Sequence, residues 1–323
     1  MPITLSCAFA TSDETHEHVR IAEGLGYARA FLYDSPALYS DPWVQACRAA
    51  DLTERIVLGP GALVPSLRHP AVNAASIATL VSIAGADRVC VAFGSGFSGR
   101  LLLGQRPMKW ADVREYVRTV RVLLRGEQTE WEGRTIQMLH PQGFGAPRPI
   151  EVPILLAVGG PKGAEMARGV ADGVICAPAP VAGFDWTILS HHGTVLDEGE
   201  DPNSERVIAA AGSGATMVFH FMYEHGLLDR MPGGEAWAAA YDALDPDTRH
   251  LAMHDRHLIA VTEMDRPFID GDVLTTTGMA MTPAQLREKL AQLESAGVTE
   301  IAHQASGPDV PRELEAFAKA AQG

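Results

Sequence analysis

Two apolar runs without polar alternation, one on either side of a helical segment, limit this chain more than anything else in it. Ile56-Val57-Leu58-Gly59 and Val89-Cys90-Val91-Ala92-Phe93 flank a segment that starts at Pro70, in which Ala71, Ala74, Ala75, Ala78 and Val81 form one compact face. A strand with one wet face alternates apolar and polar residues. A strand covered on both faces does not, and that is the condition of a parallel sheet flanked by helices. Pro70 falls in the first turn, where a missing N–H has no intrahelical partner to lose. Each strand runs into glycine, Gly59 and Gly61 after the first, Gly94 and Gly96 after the second. In a parallel barrel the carboxyl ends of the strands form the ligand face. Glycine there permits either a tight turn or a close approach to a ligand, and both readings fit these four positions.

The same strand–helix unit recurs along the chain. Strands are expected at 3–9, 29–33, 56–59, 89–93, 153–158, 174–177, 206–211 and 298–303, with helices at 42–52, 70–84, 110–125 and 312–321 among those between them. The region holding Trp186, His191 and His192 reads as part helix. Eight such units predict a (β/α)8 TIM barrel forming a single domain over 1–323, an open doubly wound sheet being the other α/β arrangement. Segments 97–109 and 126–152 read as loop excursions. Residues 212–278 read as a large insertion after the seventh strand, laid over the ligand face.

Charge and cysteine content narrow the function classes. With 40 acidic against 26 basic residues and a net charge of -14, the chain repels phosphate backbones, and nucleic-acid binding is not expected. Cys7, Cys47, Cys90 and Cys176 lie far apart without a CxxC pair, so free thiols in a reducing compartment are expected rather than a disulfide framework or zinc site. The sequence shows no leader and no apolar stretch of membrane-spanning length, which predicts a cytoplasmic protein without a membrane partner.

The segments RIVLGPG, SLRHPAVNAASIATL, RVCVAFGSG, GQRPMKWADVREYVRTVRVLLRGEQTEWEGR, VPILLAVGGPKGAEMARGVADGVICA and TPAQLREKLAQLESAGVTEI together resemble the luciferase-like monooxygenase superfamily. The likeness is to its branch of coenzyme F420-dependent enzymes with methylenetetrahydromethanopterin reductase. The resemblance implies F420, with FMN as the alternative cofactor, lying across the carboxyl end of the barrel. It implies a non-proline cis peptide near Gly61-Ala62 in a bulge of the third strand, behind the cofactor ring, with Gly94 and Gly96 beside it. It also places the cofactor's phosphate side at Gly159, Gly160, Pro161, Lys162 and Gly163, where backbone N–H groups before a helix converge on an anion. Arg68, Arg100, Arg106, Lys109 and Lys162 are candidates for a basic groove holding the acidic tail of F420.

The pattern also departs from the family. Asp34-Ser35 stands where many deazaflavin members have Asp-His, Tyr39 or Trp43 where they have a tryptophan, and Phe97 where the sugar-phosphate dehydrogenases have a glutamate. The resemblance therefore implies hydride transfer between deazaflavin and a small organic substrate, as a reductase rather than an alcohol dehydrogenase. An FMN-dependent two-component monooxygenase and a non-catalytic binding barrel are the alternatives. Asp34, Ser35 and Tyr39 are the candidate catalytic residues. Asp34 reads either as a ligand of the cofactor ring edge or as a cap or ion-pair partner of Arg68. Phe9, Tyr39, Phe97, Trp186, Phe219, Met222 and Tyr223 are candidate walls of the substrate site. His220, His225, His250, His254 and His257 enrich the insertion, but His254-Asp255-Arg256-His257 is not the HExxH arrangement, and no metal is expected. The family also implies a homo-oligomer packed through the early helices and a separate reductase supplying reduced cofactor.

Overall fold

Apolar residues at nearly every position leave the strands no face for water. In the computed structural model of the chain, which describes residues 3–323, the strands close on themselves. The barrel strands are β1 Thr4–Phe9, β2 Arg29–Leu32, β3 Val57–Pro60, β4 Val91–Gly94, β5 Ile154–Val158, β6 Gly173–Cys176, β7 Thr187–His192 and β8 Glu300–Gln304. They pair in parallel in the order β3-β2-β1-β8-β7-β6-β5-β4. Two isolated parallel bridges, Leu58 with Val89 and Leu63 with Phe93, join the two ends of that order. The result is an eight-stranded, nearly closed parallel barrel with flanking helices.

Ala8, Phe31, Cys90, Ala92, Leu155, Ile188 and Ala302 pack together as one buried group drawn from six of these strands, Cys90 immediately preceding β4. At the amino end of the barrel, Glu300 accepts from Arg29 Nη1 at 2.7 Å, from Trp186 Nε1 at 3.0 Å and from the Ser6 hydroxyl. The Arg29 guanidinium lies 4.7 Å over the Trp186 ring. Trp186 thus closes the end of the barrel away from the ligand face and is not a substrate wall. Phe9 belongs to the core beneath the helices.

Helices α1 Thr15–Gly24, α2 Pro42–Leu52, α3 Pro70–Ala84, α4 Ser98–Leu101, α5 Trp110–Arg125 and α6 Pro161–Ala167 follow the first five strands. Their ends are set by local chemistry. The Asp41 carboxylate caps α2 by accepting from Trp43 N and Val44 N, with Pro42 in the first turn, and Gly126 (φ +78°) ends α5 in the left-handed region.

The strand expected at 206–211 is not one. Those residues lie in α7 Glu205–Glu224, capped by the Ser204 hydroxyl on Val207 N. Val207, Ala211, Ala215 and Phe219 recur every four residues on its buried side. The seventh barrel strand is instead Thr187–His192, where part helix was expected. Its polar Ser190, His191 and His192 obscure the pattern although the last two are buried. Between β7 and β8 the chain carries α7, α8 Gly234–Asp242, α9 Arg249–Met253, α10 Gly271–Thr276 and α11 Pro283–Ser295; α12 Val310–Gln322 closes the chain.

This insertion has a core of its own, with Phe219, Trp237, Tyr241, Met253, Ile269 and Leu274 within it. At its centre the buried Asp265 accepts from Trp237 Nε1 and Tyr241 Oη, both at 2.9 Å, and from Thr262 Oγ1 at 2.7 Å. Phe219 is therefore insertion core, and Met222 and Tyr223 pack against it. Its two ends meet where Thr194–Val195 pairs with Ala280–Met281. Among the described residues no helix is long and apolar enough to cross a membrane, and all four cysteines are free.

Candidate functional site at the carboxyl end of the barrel

The site begins with a mismatch in chain length between two neighbouring strands. Leu58 O accepts from Cys90 N at 3.1 Å, and Leu63 N next reaches Ala92 O at 2.7 Å. Two residues of β4 thus span what five residues of β3 span, and the surplus bulges. Pro60, which has no N–H to give a neighbour, sits in that bulge. The Gly61–Ala62 peptide within it is cis, at the position implied by the family resemblance. A Cβ on Gly61 would lie 2.7 Å from the Phe31 ring. A Cβ on Gly94 would lie 3.3 Å from Ala62 Cβ and 3.5 Å from Ala157 Cβ. The ends of β3, β4 and β5 are therefore bare of large side chains where they come together.

Asp34, just past β2, is held against this bulge. Its Oδ2 accepts from Val64 N at 3.2 Å and from Arg68 Nη1 at 2.7 Å, while Arg68 Nη2 bonds Asp41 at 2.8 Å. The ion-pair reading of Asp34 is thus realised. Its Oδ1 is buried with no hydrogen-bond partner in the protein. Burial pushes the carboxyl above its usual range, and the Arg68 guanidinium opposes that. Behind Arg68, Tyr116 Oη donates to its backbone carbonyl at 2.7 Å, Asn73 Nδ2 donates to Tyr116, and Trp43 Nε1 donates to Asn73. Trp43 therefore belongs to the support of Arg68. Ser35 Oγ lies 3.0 Å from Ser98 Oγ, so its hydroxyl joins the β2 loop to α4.

The expected phosphate-side residues divide. Gly159 and Gly160 follow β5, and a Cβ on Gly160 would meet nothing within 4 Å. Gly163, by contrast, is a packing residue, because its Cβ would lie 2.7 Å from the Trp110 ring. Lys162 and Pro161 are exposed. Gly96 adopts φ +80° beneath Arg100. Of the expected basic groove, Arg68 is committed to two aspartates, and Arg100 bonds the Arg106 carbonyl at 2.6 Å and the Ser66 hydroxyl.

The segment after α9 joins the insertion to this face. Tyr39 Oη donates to His257 O at 2.5 Å, and Gln304 Nε2, at the end of β8, donates to Leu258 O at 2.9 Å. Arg256 (φ 51°) and Leu258 (φ 59°) both occupy the left-handed region, uncommon for residues with a Cβ and a mark of enforced backbone. Phe97 packs on the rings of His254 and His257, at 5.9 and 6.3 Å between centroids. Tyr39 thus serves as a tether for this segment. Tyr39→Phe is expected to speed tryptic cleavage after the exposed Arg256 about fivefold, the weight of one hydrogen bond on local opening. Unchanged cleavage would show that Tyr39 does not hold the segment.

The profile of the family described as luciferase-like monooxygenase matches residues 5–214. A 5,10-methylenetetrahydromethanopterin reductase of Archaeoglobus fulgidus is 25% identical over 339 aligned positions, which take in 95% of this chain and 94% of that protein. The structure of the coenzyme F420-dependent tetrahydromethanopterin reductase from Methanopyrus kandleri superposes with a TM-score of 0.68 at 16% identity, covering 99% of this chain and 98% of the other. The FMN-bound oxygenating constituent of 3,6-diketocamphane monooxygenase from Pseudomonas putida gives a TM-score of 0.59 at 15% identity, over 99% and 98%. At such identities the two structural likenesses carry the fold alone.

Proposed function

This chain belongs to the luciferase-like monooxygenase family and is an enzyme homologous to F420-dependent oxidoreductases, and from that membership we propose an F420-dependent reductase acting on a small organic substrate. The observation that carries the proposal is the bare floor formed by Gly61, Ala62, Gly94 and Ala157 at the carboxyl end of the barrel, with the unpartnered Asp34 Oδ1 nearby in the chain's fold. A planar tricyclic ring needs a flat seat without side chains, which these small residues would offer, and an acceptor for a ring N–H, for which the unpartnered Asp34 Oδ1 is the candidate. When bound, the reduced deazaflavin supplies a hydride.

The protein's own part is placement. The bulge backs the ring, Asp34 accepts at its edge while Arg68 and Val64 fix the carboxylate, and Gly159-Gly160 admit the phosphate side. The segment from His254 to Leu258, with Phe97 beneath it, keeps water from the reacting face. Direct hydride transfer needs two faces at reacting distance and a dry site rather than a strong acid at the reacting atom. A reductase therefore fits a site with Ser35 and Phe97 where alcohol-oxidising relatives carry an acid–base pair. The commitment of Arg68 to Asp34 and Asp41 leaves less positive charge for the acidic tail of F420, and this favours FMN-dependent monooxygenation as the second reading.

Equilibrium binding of F420 and of FMN to the purified chain, followed by fluorescence quenching, tests the choice. F420 is expected to bind at least about tenfold tighter than FMN, a difference of about 1.4 kcal/mol. The opposite preference selects the monooxygenase reading, and failure of both to bind removes the proposed seat.

A further inference from the structure

The insertion gathers three histidines, two of them in the segment proposed to cover the reacting face, whose ring nitrogens have no role in the proposed hydride transfer. His220 lies on α7, and His254 and His257 follow α9. One ring nitrogen from each lies within 4.8 Å of the other two. The His220 and His257 Nδ1 atoms are 3.0 Å apart, and their rings stack at 5.2 Å with an 18° tilt. The His254 ring stands nearly perpendicular to both, at 5.0 Å from His220 and 5.4 Å from His257. All three are almost wholly buried, at 0, 1 and 4% exposure. Two nitrogens of the group, His220 Nε2 and His254 Nδ1, have no hydrogen-bond partner in the protein.

Buried imidazole nitrogens without partners are costly in an apolar core, and two of the three rings here carry one. Burial is the main cause that lowers the pKa of all three, to about 4 for His254 and about 3 for His257, with neighbouring imidazoles adding to it. A neutral imidazole donates a lone pair to a metal, and one ring nitrogen of each of these three buried residues is available within the 4.8 Å group. Metal–nitrogen bonds of about 2.0–2.1 Å put ligand nitrogens roughly 3 Å apart. The His220–His257 pair is near that spacing, and a ring nitrogen of His254 lies within 4.8 Å of the pair. Three imidazoles without a carboxylate select a zinc-like transition metal over magnesium or calcium, which favour oxygen.

We propose that His220, His254 and His257 form a binding site for a divalent transition-metal ion that fastens the segment after α9 to α7 above the barrel mouth. The site is assembled from two distant parts of the insertion, and the Tyr39 bond to the His257 carbonyl fixes the backbone of one ligand from the barrel side. A three-histidine set leaves a coordination position for water or another oxygen donor.

The purified chain, dialysed against chelator and then chelator-free buffer, is titrated with Co2+ while its visible spectrum is recorded. One Co2+ per chain is expected, with the absorption of nitrogen-ligated cobalt, displaced by Zn2+, and with a rise in Tm. His254→Gln and His220→Gln are each expected to weaken Co2+ binding by roughly tenfold or more, with the metal-free far-ultraviolet circular dichroism unchanged. His250→Gln, outside the group, is expected to bind as the unaltered chain does. A featureless titration of the unaltered chain overturns the proposal whatever the variants do. So does a full cobalt spectrum in folded His254→Gln and His220→Gln. Neither readout involves F420 or FMN, so the result stands apart from the proposed reductase activity.

Discussion

Replacing Gly59 with alanine is expected to remove the folded state rather than weaken it by degrees. A Cβ at that position would lie 1.7 Å from the carbonyl oxygen of Cys90 and 2.8 Å from its carbon. Both are main-chain atoms, so no rotamer change relieves the overlap. Nor can the two strands step apart at little cost, because Cys90 N donates to Leu58 O next to the point of collision. This is also where the barrel closes, since β3 and β4 meet only through isolated bridges and not a continuous ladder. The penalty is expected to exceed about 4 kcal/mol, the range reserved for the most damaging single substitutions, against a total stability of about 5–15 kcal/mol. Urea unfolding followed by far-ultraviolet circular dichroism measures it. Gly160→Ala is the control: its backbone is extended at φ 178°, nothing lies within 4 Å of the new methyl, and a change within about 0.5 kcal/mol is expected. A Gly59→Ala midpoint close to that of the control would show that the closure has slack.

The second large effect is expected at Asp34. Asp34→Ala leaves Arg68 with Asp41 alone and strands the Val64 N–H, both in surroundings where the Asp34 side chain is wholly buried. Breaking a buried ion pair from one side costs about 3–5 kcal/mol, and the lower end applies because Arg68 keeps a second partner. Asp34→Asn keeps an acceptor for Val64 N and should cost less. The pair of variants separates the two roles of the residue. If Asp34 also accepts from the cofactor ring, Asp34→Asn lowers F420 affinity by about tenfold or more while most of the stability survives, the weight of one charge-assisted bond. Equal F420 affinity in folded Asp34→Asn would confine Asp34 to its pairing with Arg68. A cycle with Arg68→Ala checks the structural half, since simple additivity would mean that the two side chains do not depend on one another.

What the sequence makes legible follows how local each signal is. Helices 42–52 and 70–84 read correctly because Asp41-Pro42 and His69-Pro70 mark their starts within two residues. The exchange of 206–211 for 187–192 has a physical origin. The five-residue apolar run Val207–Ala211 suits a buried strand and a buried helix alike, and only its continuation through Phe219 reveals the helix. The true seventh strand ends in histidines that are buried all the same, His191 against the Phe317 ring, so its polar letters hide a covered strand. The cis peptide at Gly61-Ala62 was legible only through the family resemblance; the residues alone indicated a strand end rich in glycine. Gly163 misleads for the opposite reason, since its sequence context suggests a ligand and its neighbour is Trp110. The meeting of His220 with His254 and His257 could not be read from spacing, because 34 residues and several turns of chain separate the first two, counted as 254 − 220.

The short pairing of Thr194–Val195 with Ala280–Met281 has a consequence for how such a barrel diversifies. Thr194 N donates to Met279 O at 2.7 Å and Leu196 N to Met281 O at 2.9 Å, so the excursion after β7 leaves and re-enters through a single doorway. To the barrel it is a loop of almost no span, whatever its contour length. Lengthening, trimming or exchanging what lies beyond the doorway leaves unchanged the distance the barrel must bridge, and closure entropy grows only slowly with loop length. With its own core and its own Asp265 hub, this part of the chain can change in length and packing without altering the strands of the barrel.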